Sequence, residues 1–285
     1  MRLLCHTAIT LAIMDWHAHD FSRDGARLRY WRKGDVNGTP VLLLHGITDS
    51  GRMWGRVADG LAEHGFDVIA PDQRGHGESD VPAHGYSYDD YAQDAIALLG
   101  NLKKSPAVVM GHSFGGLISI WLGAHYPQAV SKLLLVDPPM FSFTGTDEEW
   151  HTWRQNYFQW LRDMKPKSTA QIMAEKKVES PGWSEDERHH YANARLAASL
   201  RLSERGGITF YSDWQTLFPQ FQCPTMLLYG DKELGSIVSD ETAAQAKQLL
   251  RDGHIIKIPN TGHSLLRDDA PAFLDAVLPF ICAAA

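Results

Sequence analysis

With 285 residues, 44% of them hydrophobic, the chain is long enough to bury one large core or two modest ones. Its formal net charge of −7, with no basic run, argues against a nucleic-acid partner. The three cysteines, Cys5, Cys223 and Cys282, are odd in number and far apart, so they predict no disulfide framework and suit a reducing cytoplasm.

Residues 1–13 resemble a weak signal peptide, with one positive charge before a mildly apolar stretch. The stretch is interrupted by His6 and Thr7, lacks an Ala-x-Ala cleavage site and is too short to span a bilayer. Met14 would make a natural start. We therefore expect residues 1–13 to be a disordered extension, and we expect a cytoplasmic protein with no stable membrane insertion.

The first half of the chain alternates strand and helix patterns. Residues 17–22 and 27–33 alternate around Asp24-Gly25, which predicts a hairpin. Continuous apolar runs, typical of strands buried on both faces, follow at 41–44, 67–70, 108–110 and 132–136. Helical spacing lies between them at 54–64, at 88–102 and after Ser113. This alternation predicts a parallel sheet covered on both faces.

The composition changes after Pro139. Residues 140–219 lack buried-strand runs and hold five of the nine tryptophans, Trp150, Trp153, Trp160, Trp183 and Trp214. Strand patterns return at 223–230 and 254–258, with helices at 239–251 and 271–281. We therefore predict an α/β fold: residues 14–139 and 220–285 form a mostly parallel, doubly wound core, and 140–219 form a helical cap inserted over the strands' carboxyl ends. The tryptophans would form the cap's own small core.

The Gly111-His112-Ser113-Phe114-Gly115 segment is a Gly-x-Ser-x-Gly motif between a strand pattern and a helix pattern. Such a turn strains the serine backbone and raises its hydroxyl above a helix N-terminus, which favours a nucleophile. The alternative is a phosphate-binding turn of a dinucleotide fold, with Asp137 as the ribose-binding acid. Against it, the glycine spacing is wrong and three strand-like segments precede the motif. We interpret Ser113 as the nucleophile.

A serine nucleophile needs a histidine base and an orienting acid, each at the carboxyl end of a strand. Among the fourteen histidines, His263 alone follows the last strand and precedes the closing helix. Two places remain open for the acid: Asp137 after the strand that follows the nucleophile, and Asp231 or Glu233 after the strand that follows the insertion. Spacing does not separate them.

The oxyanion hole is expected to use two backbone N–H groups, those of Phe114 and Ile47. Arg74 and Glu78, in a glycine-rich turn, fit a structural loop with internal ion pairs. His189-His190 and the pair His17 and His19 lack further ligands at metal spacing, so we expect no metal and no cofactor.

The sequence resembles the α/β-hydrolase superfamily from about residue 17 to 282. The resemblance rests on His45-Gly46, Asp72 to Ser79, Gly111 to Gly116, Val136-Asp137-Pro138-Pro139 and Gly262-His263. Within the superfamily it is most similar to the amide hydrolases that include N-formylmaleamate deformylase. That group takes its triad acid from the strand after the nucleophile's, which implies Asp137 here. Dehalogenases and epoxide hydrolases of this fold carry aspartate where this chain has Ser113.

These residues and the resemblance together predict a cofactor-free serine hydrolase acting on a small, partly apolar ester or amide. A C–C bond hydrolase or a perhydrolase would use the same residues. The rivals from other classes are a non-hydrolytic small-molecule receptor on the same fold and, third, a nucleotide-binding protein. A homodimer is compatible with the sequence.

Overall fold

The computed structural model of the protein describes residues 15–140, 147–204 and 214–283. The extension predicted for residues 1–13 therefore lies outside the described residues. Within the ranges that are described, no helix combines the length and the apolar character that a bilayer crossing requires.

Eight strands form one mixed sheet in the order β1-β2-β4-β3-β5-β6-β7-β8. The first two pair antiparallel with each other, β2 is antiparallel to β4, and all later pairings are parallel. The strands are β1 His17–Arg23, β2 Ala26–Gly34, β3 Pro40–Leu44, β4 Asp67–Pro71, β5 Ala107–His112, β6 Val130–Val136, β7 Thr225–Tyr229 and β8 Gly253–Lys257. This confirms the fold class predicted from the alternating pattern, which is α/β with a mostly parallel sheet.

Both faces of the sheet are covered, as the continuous apolar runs predict. Along β3, Leu42 and Leu44 belong to one hydrophobic cluster, while Val41 and Leu43 belong to a second. Alternate residues of a strand point to opposite faces, so these two clusters are the two layers of the core. The sheet is doubly wound.

Eleven α-helices are seen in the described ranges. They are α1 Gly55–Glu63, α2 Tyr88–Leu102, α3 Phe114–His125, α4 Asp147–Met164, α5 Thr169–Glu179, α6 Glu185–Ala197, α7 Arg201–Glu204, α8 Trp214–Leu217, α9 Asp240–Leu249, α10 Leu265–Asp268 and α11 Ala270–Cys282. Buried residues of α1 and α11 belong to one face of the sheet, and those of α2, α3 and α9 to the other.

The predicted hairpin is present. Asp24 and Gly25 join β1 to β2 with φ of 51° and 78°. Positive φ at both turn residues matches the right-handed twist of the flanking strands, which is why the Asp-Gly pair is a strong hairpin signal.

Helices α4 to α7, here called the inserted helices, lie between β6 and β7. Trp183 packs with Met164, Ile172 and Tyr191 in a small separate cluster, as predicted for the tryptophans of this region. For Trp214 that prediction is wrong, because its ring is fully buried in the main core, where it packs edge-on against Phe218. The side chains of Trp150 and Trp153 lie outside the described residues.

Candidate active site

Ser113 occupies the sharp turn between β5 and α3. Its backbone has φ of 53° and ψ of −117°, outside the regions that ordinary residues favour. The flanking glycines are sterically required: a Cβ on Gly111 would lie 2.1 Å from the Gly115 carbonyl oxygen, and one on Gly115 would lie 2.1 Å from that of Leu44. The motif thus forms the strand–turn–helix that its spacing predicts.

His263 and Asp137 meet at the carboxyl ends of the strands. Asp137 directly follows β6, and His263 lies in the loop between β8 and α10. The Nδ1 atom of His263 lies 2.7 Å from Oδ2 of Asp137. Asp137 is fully buried, whereas about a third of the His263 side chain is exposed, at 34%. The imidazole therefore has one edge against a buried carboxylate and part of its ring open to solvent.

Asp137 is held as a charged acceptor. Its carboxylate accepts the Ser236 hydroxyl at 2.7 Å and the backbone N–H groups of Ile237 and Val238 at 2.8 and 2.9 Å. Burial acts to raise the pKa of Asp137, but the hydrogen bond from His263 and these two N–H groups outweigh it and lower the pKa. Because the carboxylate can only accept, Nδ1 of His263 is the donor, and Nε2 of the neutral ring keeps its lone pair.

The other two candidate acids lie elsewhere. Oδ2 of Asp231 accepts the Asn260 N–H at 2.7 Å, and Oδ1 lies 3.3 Å from the Lys257 ammonium. Glu233 is exposed in a short 3₁₀ turn. Of the three acids, the structure brings Asp137 to His263. It also leaves Asp137 no free oxygen for a ribose hydroxyl, which argues against the dinucleotide alternative.

His112 lies between the serine turn and His263. Its ring packs on that of His263 with centroids 4.6 Å apart, and its Nε2 lies 2.8 Å from the His263 carbonyl oxygen. Burial, followed by the neighbouring His263, lowers the pKa of His112 to about 3, so the ring is neutral and Nε2 carries its proton. His112 therefore ties the His263 loop to the residue before Ser113.

The turn after β3 lies beside the serine. A Cβ built on Gly46 would be 3.3 Å from Cβ of Ser113. Ile47 follows Gly46, so its N–H is carried by the turn that lies beside Ser113. Phe114 is the first residue of α3, where a helix has no internal acceptor for the N–H. Both expected oxyanion donors thus lie on backbone adjacent to Ser113.

The family is shown by comparison with known proteins. A family model described as the alpha/beta hydrolase fold matches residues 39–270. The chain belongs to the α/β-hydrolase fold family.

Three individual relatives share 24–38% sequence identity with this α/β-hydrolase over the matched residues. AB hydrolase superfamily protein YisY of Bacillus subtilis (strain 168) is 28% identical over 242 residues, covering 82% of this chain and 88% of that protein. The 2-(acetamidomethylene)succinate hydrolase of Mesorhizobium japonicum is 38% identical over 101 residues, covering 35% and 36%. Among solved structures, N-formylmaleamic acid deformylase of Pseudomonas putida S16 has a TM-score of 0.74 at 24% identity, covering 92% of this chain and 100% of that one.

Next to the candidate site of this α/β-hydrolase is a buried charge cluster that the sequence did not reveal. Asp49 follows Thr48 in the turn after β3, and its carboxylate contacts Arg195 on α6 at 3.0 Å and Arg267 on α10 at 3.1 Å. Burial would raise the pKa of Asp49, but the two guanidinium groups, Arg267 first, hold it well below its usual value. The cluster joins α6 of the inserted helices, α10 after the His263 loop, and the turn beside Ser113.

Arg74 and Glu78 are structural, but the prediction that their ion pairs are internal to the loop is wrong. Arg74 forms a two-pronged pair with Asp94 of α2 at 2.6 and 2.7 Å, and Glu78 pairs with Arg29 of β2 at 3.0 Å. Both ion pairs therefore tie the loop to neighbouring elements, α2 and β2.

Of the two adjacent histidines on α6, His190 is largely buried and contacts charged side chains. Nε2 of His190 lies 3.2 Å from the Arg52 guanidinium and 3.3 Å from the Asp186 carboxylate. Across the described ranges, no three His, Cys, Asp or Glu side chains are arranged to hold a metal ion.

Proposed function

We propose that this protein is a cofactor-free serine hydrolase that cleaves a carboxylic ester or amide of a small, partly apolar substrate through an acyl-enzyme. Ser113 would be the nucleophile, His263 the base and Asp137 the orienting acid. The observation that carries the proposal is the 2.7 Å hydrogen bond from His263 to Asp137, because it leaves the Nε2 lone pair of a partly exposed imidazole available as a base.

In this mechanism the Ser113 oxygen attacks the substrate carbonyl while Nε2 of His263 takes the hydroxyl proton. The N–H groups of Ile47 and Phe114 stabilise the oxyanion, and His263 returns its proton to the leaving alcohol or amine. Water then attacks the acyl-enzyme, giving its proton to His263. The acid is released as Ser113 is protonated again. Asp137 holds the imidazole and stabilises its charged form throughout.

The inserted helices, together with the rest of residues 140–219, would form a cap over this site. Two observations support that role: α4 and α6 both contact the turn after β3, and that turn lies beside Ser113. A cap would set the size of the acyl and leaving groups. Two of the relatives are a 2-(acetamidomethylene)succinate hydrolase and an N-formylmaleamic acid deformylase, which makes short amides worth testing beside esters.

The test is turnover of p-nitrophenyl esters from acetate to octanoate, and of the matching p-nitroanilides, by wild type and Ser113→Ala. Ser119→Ala is the matched control: it removes a hydroxyl from α3, the helix that follows Ser113, where that hydroxyl donates to the Gly115 carbonyl at 2.8 Å. In parallel, a fluorophosphonate probe would label the serine and mass spectrometry would locate the adduct.

We expect wild type and Ser119→Ala to turn over substrate and carry the label on Ser113, and Ser113→Ala to do neither. If wild type is inactive and unlabelled, yet small molecules raise its melting temperature in a thermal-shift assay, the result would instead support the receptor hypothesis. Peracid formation from acetate and hydrogen peroxide would indicate a perhydrolase. Cleavage of a diketone would indicate a C–C bond hydrolase.

A further inference from the structure

The turn after β3 holds Thr48 in a conformation that its side chain disfavours. The Asp49 N–H donates to the Gly46 carbonyl at 3.1 Å, which closes a four-residue turn with Thr48 in third place. Thr48 has φ of 63°, a left-handed conformation in which β-branched residues are genuine outliers. Turns with positive φ at this position take glycine or asparagine by preference. A threonine stays there only if its surroundings hold it.

The group that holds Thr48 is the hydroxyl of Tyr157, on the inserted helix α4. It lies 2.9 Å from the Thr48 hydroxyl and 3.4 Å from the Ile47 carbonyl, to which it donates. The Tyr157 ring also packs against the rings of Phe158 and Trp160, with centroids 5.6 and 5.4 Å away. Burial raises the pKa of Tyr157 to about 12, so the hydroxyl keeps its proton at neutral pH.

A second inserted helix contacts the next residue of the same turn. Arg195 of α6 donates to Asp49 at 3.0 Å. Consecutive turn residues, Thr48 and Asp49, are therefore each bound by a different inserted helix. The turn's conformation depends on these helices being in place, and that conformation sets the direction of the Ile47 N–H.

We propose that Tyr157 is a positioning residue: it holds the Gly46–Asp49 turn so that the Ile47 N–H faces the oxyanion formed at Ser113. The role of the N–H rests on the proposed serine-hydrolase function; the clamping of the turn does not. The inserted helices thereby complete the oxyanion hole as well as covering the site.

The test compares Tyr157→Phe with wild type in the full chain. Tyr126→Phe is the matched control, since it removes a tyrosine hydroxyl that bonds Asp89 at 2.6 Å near the opposite end of α3. Two quantities are measured: hydrogen–deuterium exchange of the Asp49 amide, whose bond closes the turn, and kcat and KM for p-nitrophenyl acetate.

In Tyr157→Phe we expect Asp49 exchange to rise and kcat to fall by about tenfold, with KM changed less than about twofold, because a misplaced donor acts on the transition state and not on substrate binding. Tyr126→Phe should change neither. Adding Thr48→Gly to Tyr157→Phe should restore slow exchange and most of kcat, because glycine adopts positive φ without a clamp.

The outcomes separate the two proposals. Unchanged Asp49 exchange in Tyr157→Phe overturns the clamp, whatever the activity. A fall in kcat that Thr48→Gly does not rescue also overturns it and makes Tyr157 a substrate contact. If wild type hydrolyses no ester yet Asp49 exchange rises in Tyr157→Phe and recovers with Thr48→Gly, the clamp stands and the hydrolase proposal fails.

Discussion

The ring of His112 packs on that of His263, and its Nε2 donates to the His263 carbonyl at 2.8 Å. The donor sits immediately before the candidate nucleophile and the acceptor belongs to the candidate base. One neutral side chain thus links the two loops that carry the candidate nucleophile and the candidate base.

Removing the hydrogen bond from His112 to His263 should lower kcat more than it weakens substrate binding. We expect His112→Ala to reduce kcat by about tenfold, a loss comparable to one hydrogen bond of about 1.4 kcal/mol, with little change in KM. Gln can place its amide N–H near the original Nε2, so His112→Gln should recover much of the loss. Steady-state kinetics on a p-nitrophenyl ester would decide, and equal losses in both variants would contradict the link.

Asp137→Asn should abolish most turnover. An amide has an NH₂ donor in place of the second carboxylate oxygen, so it cannot accept all four hydrogen bonds that Asp137 accepts. The imidazole then loses its fixed tautomer and its charge partner, and kcat should fall by about 10⁴-fold. Asp231→Asn and Glu233→Gln are the matched controls, because neither acid contacts His263 in the structure. Comparable losses in a control would move the acid to the end of β7.

The serine turn and the placement of the histidine were predictable because they depend on local sequence. The turn at Ser113 has to be flanked by glycine, and His263 has to follow the last strand. Spacing did not predict which acid meets His263, since two strand ends offer carboxylates. What the structure adds is the segment Ser236–Val238, which folds back to donate three hydrogen bonds to Asp137.

Contacts between the inserted helices and the turn after β3 could not be predicted either, because the partners lie far apart in the sequence. Tyr157 is 109 residues from Thr48, and Arg195 is 146 from Asp49. Nothing in the local pattern of α4 or α6 indicates which side chain meets the turn after β3. Trp214 shows a different limit of prediction from sequence. It lies in the tryptophan-rich stretch that the sequence assigns to the insertion, but its side chain packs in the main core.

Substitution of the glycines in the Ser113 turn should affect the protein much more than substitution of glycines elsewhere. Gly115→Ala would place a methyl 2.1 Å from the Leu44 carbonyl oxygen, so we expect a variant that is unfolded or inactive. Gly100→Ala, near the end of α2, meets nothing within 4 Å and should stabilise the protein by about 0.5–1 kcal/mol. Urea unfolding of both variants checks this, and a stable, active Gly115→Ala would contradict the close packing.

Stability should fall as the solution is acidified. Burial lowers the pKa of His45 and His112 to about 3 and that of His76 to about 4, so all three stay neutral in the fold while the unfolded chain protonates near pH 6.5. Burial raises the pKa of Asp72 to about 6, which acts in the opposite sense between pH 4 and 6.

Among these four groups, three histidines against one carboxyl leave about two extra protons on the unfolded chain, so their contribution lowers the free energy of unfolding by roughly 3 kcal/mol per pH unit from pH 6 to 4. Urea titrations at several pH values measure this slope. His76→Asn should reduce it by about one proton, or 1.4 kcal/mol per unit. A slope that is unchanged in His76→Asn would mean that His76 is already charged in the fold.

Removing the acidic partner from the buried cluster of Asp49, Arg195 and Arg267 should strongly destabilise the protein. Asp49→Asn leaves two buried guanidinium groups without their anion, and we expect a loss of about 3–5 kcal/mol in the free energy of unfolding. Glu175→Gln is the surface control, because the pair it forms with Lys167 is largely exposed and is worth under about 1 kcal/mol. A loss in Asp49→Asn no larger than in the control would mean that water reaches the arginines, and the cluster would then contribute little to holding the inserted helices on the turn.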